Sequence, residues 1–535
     1  MFARKIHSLW LILAASLWMT YAGNTALWKK LASLGLMHNL SGVGFVLALS
    51  VMLAAALAGL LALFAWKGAL KPAMLVLLLV TAFASHFMNS FGIVIDPSMV
   101  TNAVQTDVHE AGALLNPGLV VNVVLLALIP GWLIWRQPIA YGPARKQLWK
   151  NLATVALAIV AIVALLALSY QTMASTMRNY KDLRYLLNPL SSVYSAARVV
   201  LKPFELDPSV LRPIGDDARA MAPMHAGAKP LTLLLVVGET ARSDHFSLNG
   251  YERETNPELK ARGVVSFGNA WSCGTSTAES LPCMFAHLGR DDFHGRKANY
   301  ENLLDLLQKA GMNVLWVDNQ SGCKEVCNRV PHVETTSQCG SAECFDETML
   351  NAMQARLRAL GERQRGKGTV IVLHQMGSHG PAYYQRSPEQ YKAFLPECQT
   401  SALKDCSQDQ VRNAYDNSIR YTDHFLAKAI DWLQANTDNS ALMYVSDHGE
   451  SLGEANVYLH GLPYAFAPDT QKKVPWITWL SPEFERENRL SSSCLRQHAG
   501  ERVTHDSYFH AVLGLADVAA REYQPELDFY RACRT

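Results

Sequence analysis

A chain of 535 residues is too long for one ordinary domain, and 48 Lys and Arg against 46 Asp and Glu leave a formal net charge of only +2. With no long basic run either, the balance argues against a nucleic-acid partner held by phosphate neutralisation. The charges are placed very unevenly, however: residues 1–170 carry 13 of the 94 and the remaining 365 residues carry 81, so the two parts are built for two different solvents.

In the charge-poor part, five apolar stretches, at about 9–22, 43–66, 73–94, 119–135 and 152–170, read as membrane spans. The first follows Arg4 and Lys5 as a signal peptide would, but the four spans after it make it an anchor. With the N-terminus inside, Arg4, Lys5, Lys67, Lys71, Arg136, Arg145, Lys146 and Lys150 all fall on the inner side, and Lys29 and Lys30 are the exceptions. An odd number of spans delivers everything after Tyr170 to the outer side. The loop after the third span has no Lys or Arg between 96 and 110, and Asn102, Thr106 and Glu110 recur every fourth residue. On a helix they form one polar stripe at the membrane surface, either a solvated face or a seat for an amine-bearing lipid head group.

Residues 171–230 divide in two. Tyr180, Leu183, Leu186, Leu187 and Val193 suit an interfacial amphipathic helix, and five prolines between 203 and 230 mark a linker. The chain therefore reads as a transmembrane domain at 1–170, an interfacial helix and linker at 171–230, and a soluble domain at 231–535.

The soluble domain opens on Leu231-Thr232-Leu233-Leu234-Leu235-Val236-Val237, a strand buried on both faces, which runs into Gly238-Glu239-Thr240. Apolar runs ending in polar clusters recur at Val314–Val317, Val370–Leu373 and Leu442–Val445, with helical patterns between them, which predicts an α/β fold. Ligands of such sheets bind beyond the carboxyl ends of the strands. Glu239, Asp447 and His448 would meet there as an oxygen-rich set suited to zinc or manganese. A hydroxyl would supply a fourth position, from the segment Ser272-Cys273-Gly274-Thr275-Ser276-Thr277, and the chemistry alone leaves Thr275 and Thr277 open.

All ten cysteines lie in this domain. The spacings suit disulfide clips better than a thiolate metal cluster: Cys273 with Cys283, Cys323 with Cys327, Cys339 with Cys344, and Cys398 with Cys406, which leaves Cys494 with Cys533. Disulfides place the domain in an oxidising compartment, in agreement with the span count.

Six ordered motifs carry a family resemblance: Val-Val-Gly-Glu-Thr-Ala-Arg at 236–242, Cys-Gly-Thr-Ser-Thr-Ala at 273–278, Leu-Pro-Cys-Met-Phe at 281–285, Ser-Gly-Cys-Lys at 321–324, the His-Gln-Met-Gly-Ser-His-Gly run at 374–380, and Ser-Asp-His-Gly-Glu at 446–450. The chain resembles the phosphoethanolamine transferases that modify lipid A, the group that contains the mobile colistin-resistance enzymes. The resemblance implies five transmembrane helices followed by a periplasmic, alkaline-phosphatase-like α/β domain in the Gram-negative inner membrane. It implies zinc held by Glu239, Thr277, Asp447 and His448, with Thr277 as the nucleophile, and histidines at 379 and 460 that bind substrate phosphate or a second metal. Ser321 and Lys324 match phosphoethanolamine contacts, and Asn102, Thr106 and Glu110 match lipid contacts of the membrane domain. The implied reaction moves phosphoethanolamine from phosphatidylethanolamine to lipid A through a phosphoethanolamine-threonine intermediate, releases diacylglycerol and confers polymyxin resistance, in a protein expected to be a monomer. The alternatives are transfer to a core sugar or another glycan, and a sensor that binds lipid without turnover. Glu279, two residues after Thr277, stands where a small or apolar residue is expected.

Overall fold

The computed structural model describes residues 5–38, 40–105, 112, 114–205, 210–221, 229–336, 339, 344–359 and 368–534. The chain divides into two compact units, one drawn from Met1–Val100 and Leu115–Val200, the other from Thr101–Leu114 and Leu201–Thr535.

The first unit is helical, with α1 (Ser8–Tyr21), α2 (Thr25–Ser33), α3 (Leu40–Leu63), α4 (Leu70–Phe91), α6 (Pro117–Arg136) and α7 (Ala144–Asn179), while a short α5 (Pro97–Gln105) and α8 (Leu190–Glu205) each begin in the first unit and end in the second. Among the described residues α3, α4, α6 and α7 are long and apolar enough to cross a membrane. The first expected span is shorter than they are. Helix α1 has 14 residues, about 21 Å at 1.5 Å per residue, against a hydrocarbon core of roughly 30 Å. It stops because the chain turns at Gly23 and Asn24 to meet the rest of the bundle. A Cβ on Gly23 would lie 2.2 Å from Thr81 Cγ2, and buried Asn24 donates to the Asn188 carbonyl (2.6 Å) while its Oδ1 accepts from the Asn188 amide (2.9 Å). Lys30, an exception to the charge rule, is paired with Asp182 (3.1 Å). In α6 the turn at Val124–Leu128 is π-helical, just ahead of Pro130, whose missing N–H cannot serve a regular α turn. Helix α7 runs nine residues past the predicted end of the fifth span.

The second unit is built on an eight-stranded sheet: β1 (Thr232–Gly238), β2 (Val265–Trp271), β3 (Asn313–Asp318), β4 (His332–Glu334), β5 (Thr369–His374), β6 (Ser440–Ser446), β7 (Lys473–Leu480) and β8 (Val503–Thr504). The spatial order is β8-β2-β7-β6-β1-β5-β3-β4, and β7 alone runs against the others. Strand β1 is central because six of its seven residues are fully buried, as only helices on both faces allow. One covering helix, α10 (Gln408–Asn436), starts at a capping box in which Ser407 Oγ accepts from Gln410 N and Gln410 Oε1 accepts from Ser407 N (2.9 Å). All five cysteine pairs expected from the spacing are disulfides.

Register places the chemistry. In β1 and β6 Val237 faces Val445 and Gly238 faces Ser446, so Glu239 and Asp447 leave adjacent strands at the same level. On the other side His374 of β5 faces Val237, and Asp318 of β3 faces His374. Four strand ends thus open onto one crevice. Leu235 is wholly buried in the core of this sheet, and Leu235→Ala is expected to cost about 3 kcal/mol, within the range for truncating a buried leucine. Chemical denaturation of the purified protein would measure it.

Candidate active site

Glu239, Asp447 and His448 are fully buried, and one ligand atom from each lies within 4.8 Å of the others. Thr277 opens α9 (Thr277–Met284); its Oγ1 donates to Glu239 Oε2 (3.0 Å) and lies 3.4 Å from His448 Nε2. His448 Nε2 is also 3.4 Å from Glu239 Oε1 and 3.3 Å from Asp447 Oδ2. Those two carboxylate oxygens are buried and have no hydrogen-bond partner. His448 Nδ1 faces the Gly449 carbonyl (2.9 Å); a proton there leaves the Nε2 lone pair directed at the same point.

The electrostatics show what the cluster lacks. Burial lifts the Asp447 carboxyl to about 7, and the Glu239 charge pushes the same way. Burial pulls His448 down, but Asp447 and Glu239 outweigh it and lift the imidazole to about 10. Burial also pushes Glu239 up; its close approach to the His448 imidazole and the fields of His448, His379 and His460 hold it well below the usual carboxylate range. The one imidazole is therefore left to balance two carboxylates. Two unsatisfied carboxylate oxygens, an imidazole lone pair and a hydroxyl converging on one point fit a divalent metal ion, which would supply the missing positive charge.

The supporting bonds separate the two threonines. Thr275 Oγ1 donates to the Leu462 carbonyl (2.6 Å) and the Thr275 carbonyl accepts from Gly461 N (2.8 Å), so Thr275 holds the segment after His460 while Thr277 faces the carboxylates. Thr240 sits at φ 51°, where its amide donates to Asp447 Oδ1 (3.3 Å) and its carbonyl accepts from Tyr415 (2.7 Å). The His379 and His460 rings are 5.6 Å apart, and His460 is 4.3 Å from the His448 ring. Burial, together with the neighbouring His448 charge, lowers the His460 imidazole, although Glu450 at 3.3 Å pulls it up. Among the described residues the other grouping of three ligands is Cys494, His498 and Cys533, whose sulfurs are already joined to each other.

Ser321 and Lys324 adjoin each other, with Lys324 Nζ donating to Ser321 Oγ (2.9 Å). Asn102 is half-buried on α5, whereas Thr106 and Glu110 lie outside the described residues. Glu279 lies over Gly274, where an added Cβ would stand 2.8 Å from its Cγ, and pairs with His294 (3.3 Å). It therefore packs beside the turn that leads into Thr277.

Sequence reasoning missed two residues. Gln320 Nε2 donates to Glu239 Oε2 (3.0 Å), and Gln320 Oε1 accepts from Ser321 Oγ (2.5 Å). His505 accepts from Cys273 N at Nδ1 (3.2 Å), and its Nε2 lies 3.1 Å from the Ser446 carbonyl, so it ties the Thr277 segment to β6 from behind. For Gln320 the available signal was its place two residues past the end of β3; His505 had none.

A hydroxyl at a helix start, facing two carboxylates and an imidazole at the carboxyl ends of parallel strands, is the arrangement of an alkaline-phosphatase-like α/β domain. A family model described as Sulfatase matches residues 232–518, and one described as Phosphoethanolamine transferase EptA/EptB matches residues 53–204. The chain is 38% identical over 544 residues to phosphoethanolamine transferase EptA of Escherichia coli K12, covering 98% of this chain and 96% of that one. It is 35% identical over 551 residues to phosphatidylethanolamine transferase Mcr-1 of Escherichia coli, covering 99% and 98%. The solved integral membrane lipooligosaccharide phosphoethanolamine transferase A of Neisseria meningitidis superposes with a TM-score of 0.94 at 34% identity, covering 99% of this chain and all of that one. The chain belongs to the phosphoethanolamine transferase family and is a multi-pass membrane protein.

Gln320→Leu removes a donor to Glu239 at nearly constant volume, and a roughly tenfold to hundredfold loss of divalent-metal affinity is expected, as for other partners of metal ligands. Metal titration of the metal-free protein would read it. Burial holds the His505 imidazole down at about 3, below its unfolded value near 6.5, so the unfolded chain binds the extra proton between those values. The stabilisation is complete above about pH 6.5 and is lost at up to about 1.4 kcal/mol per unit as the pH falls toward 3. Denaturation curves across this range should flatten in His505→Gln.

Proposed function

We propose that this protein transfers phosphoethanolamine from phosphatidylethanolamine to lipid A, in the inner membrane of a Gram-negative cell and with residues 231–535 in the periplasm. The observation that carries the reading is the convergence of Thr277, Glu239, Asp447 and His448 on one point in a chain whose full-length relatives are named phosphoethanolamine transferases. The more distant Kdo(2)-lipid A phosphoethanolamine 7''-transferase of Escherichia coli K12 is 27% identical, so an acceptor on lipid A is favoured over a core sugar.

Zinc is the ion that this nitrogen and oxygen donor set suits, and when bound it supplies a Lewis acid that favours the deprotonated hydroxyl and balances charge on phosphorus. Thr277 Oγ1 attacks the phosphorus of the donor's phosphodiester, and its proton passes toward Glu239 Oε2, the acceptor it already faces at 3.0 Å. The bond from phosphorus to the diacylglycerol oxygen breaks, and His379 or His460 returns a proton to that oxygen. Phosphoethanolamine is left as an ester of Thr277. A phosphate oxygen of lipid A then attacks the same phosphorus and gives its proton to that histidine, the bond to Thr277 Oγ1 breaks, and the hydroxyl regains its proton from Glu239. Ser321 and Lys324 hold the transferred group, the lysine ammonium offsetting phosphate charge. Capping an anionic phosphate with an amine lowers the negative charge of the outer surface, so polymyxins bind it less well.

Thr277→Ala is expected to lower transfer by about a thousandfold or more, because it removes the group that carries the intermediate. Mass spectrometry of lipid A from cells expressing each form would show the phosphoethanolamine adduct with the native protein and its absence with the variant; an undiminished adduct would overturn the covalent route. An adduct on a core sugar instead of lipid A would correct the acceptor alone. Chelation should abolish transfer by the purified enzyme, with added zinc restoring it.

A further inference from the structure

Between α1, α3 and α7 lies a groove of about 540 Å³, within the usual range of small-molecule sites. Its walls are apolar and made largely of small side chains, among them Ala58 of α3 and Ala158 and Ala161 of α7, while one end is polar, formed by His7, Gln147 and Lys150. That end is where α7 begins, the opposite end of this helix from the one at which the chain leaves for residue 201 and beyond.

The polar end is built for a ligand. Gln147 is 2% exposed and donates to Asn151 Oδ1 (2.8 Å), yet its own Oε1 is buried without a partner. An orphaned acceptor of this kind costs about 1–3 kcal/mol unless something donates to it. On the next turn Lys150 Nζ stands 2.8 Å from His7 Nε2, and His7 Nδ1 already accepts from Leu9 N (3.2 Å), capping α1. A neutral imidazole has one donor and one acceptor nitrogen, so with Nδ1 accepting, the Nε2 proton points at an ammonium. Two donors face each other, an arrangement that an anionic oxygen between or beside them would satisfy. Among the described residues the groove lining contains no carboxylate. Its polar end therefore offers donors for an anion and one acceptor for a hydroxyl, and its apolar length suits an acyl chain.

We propose that this groove binds an anionic glycerophospholipid with a hydroxylated head group, of the phosphatidylglycerol type. The phosphodiester lies against Lys150 and His7, a head-group hydroxyl donates to Gln147 Oε1, and an acyl chain runs along the alanines. A zwitterionic ethanolamine lipid is disfavoured, because its ammonium would meet Lys150 with no carboxylate to receive it. The site is distinct from the catalytic one and recognises a lipid other than the donor.

Native mass spectrometry of the full-length protein in detergent tests this, with phosphatidylglycerol, phosphatidylethanolamine or inorganic phosphate added. One phosphatidylglycerol adduct is expected that neither excess phosphatidylethanolamine nor phosphate displaces. Lys150→Gln should weaken it about tenfold, the scale of one charge-assisted contact, and Lys150→Arg should retain it. Ala161→Trp fills the groove away from the charged end and should also expel the lipid. The arms with unsubstituted protein decide the matter even if a variant fails to fold. Absence of the adduct, its displacement by phosphatidylethanolamine or by phosphate alone, or equal binding by folded Lys150→Gln would each overturn the proposal.

Discussion

The structure of the catalytic unit depends on one electrostatic constraint: two carboxylates, Glu239 and Asp447, leave neighbouring parallel strands in register, fully buried and with ligand oxygens within 4.8 Å of each other. At an effective dielectric constant of about 20, two such charges repel by about 3–4 kcal/mol before any desolvation. A sheet would not retain that pair unless something else repaid it. Five groups around the pair work in that direction: the His448 imidazole, the Gln320 amide, the Thr277 hydroxyl and the amides of Thr240 and His448 all direct donors or positive charge toward it. The remaining deficit is the space a divalent ion fits.

The same constraint explains why the Thr277 segment is so heavily fastened. A hydroxyl that must face a fixed point cannot sit on a loose turn, since small misplacements are expensive in positioning. Three ties hold it. The Cys273–Cys283 disulfide closes the segment, Ser280 Oγ donates to the Asp447 carbonyl (2.6 Å), and His505 joins Cys273 to Ser446. The helix that begins at Thr277 is thus bonded to the strand end that carries Asp447 and His448.

Much of this arrangement was legible in the amino-acid sequence because it is local. Apolar runs ending in Glu239 and Asp447 announce strand ends whatever the order of the strands, and cysteine spacing gives disulfide pairs that close over a few residues. What depended on register or on distant partners was not legible. Thr275 and Thr277 differ only in which way each faces, which Leu462 decides from 187 positions along the chain. Gln320 reaches Glu239 because β5 sets β1 and β3 two strands apart in matched register. Apolar length did mark the first helix, 9–22 against α1 at Ser8–Tyr21, but not what ends it: Asn24 exchanges hydrogen bonds with Asn188, a partner that no window of hydropathy contains.

Gln320 also joins two parts of the site that the motifs present as separate. Lys324 donates to Ser321, Ser321 donates to Gln320 Oε1, and the same amide donates from its other end to Glu239 Oε2. An amide can transmit in this way because it accepts and donates at opposite atoms, whereas a carboxylate at 320 would set a third negative charge against Glu239 and Asp447. Any charge that draws Lys324 away from Ser321 weakens the bond that orients the amide, and so alters the donor that Glu239 receives. Where a phosphate group engages Lys324, its binding and the disposition of the Glu239 carboxylate are therefore one coupled equilibrium, carried by three hydrogen bonds.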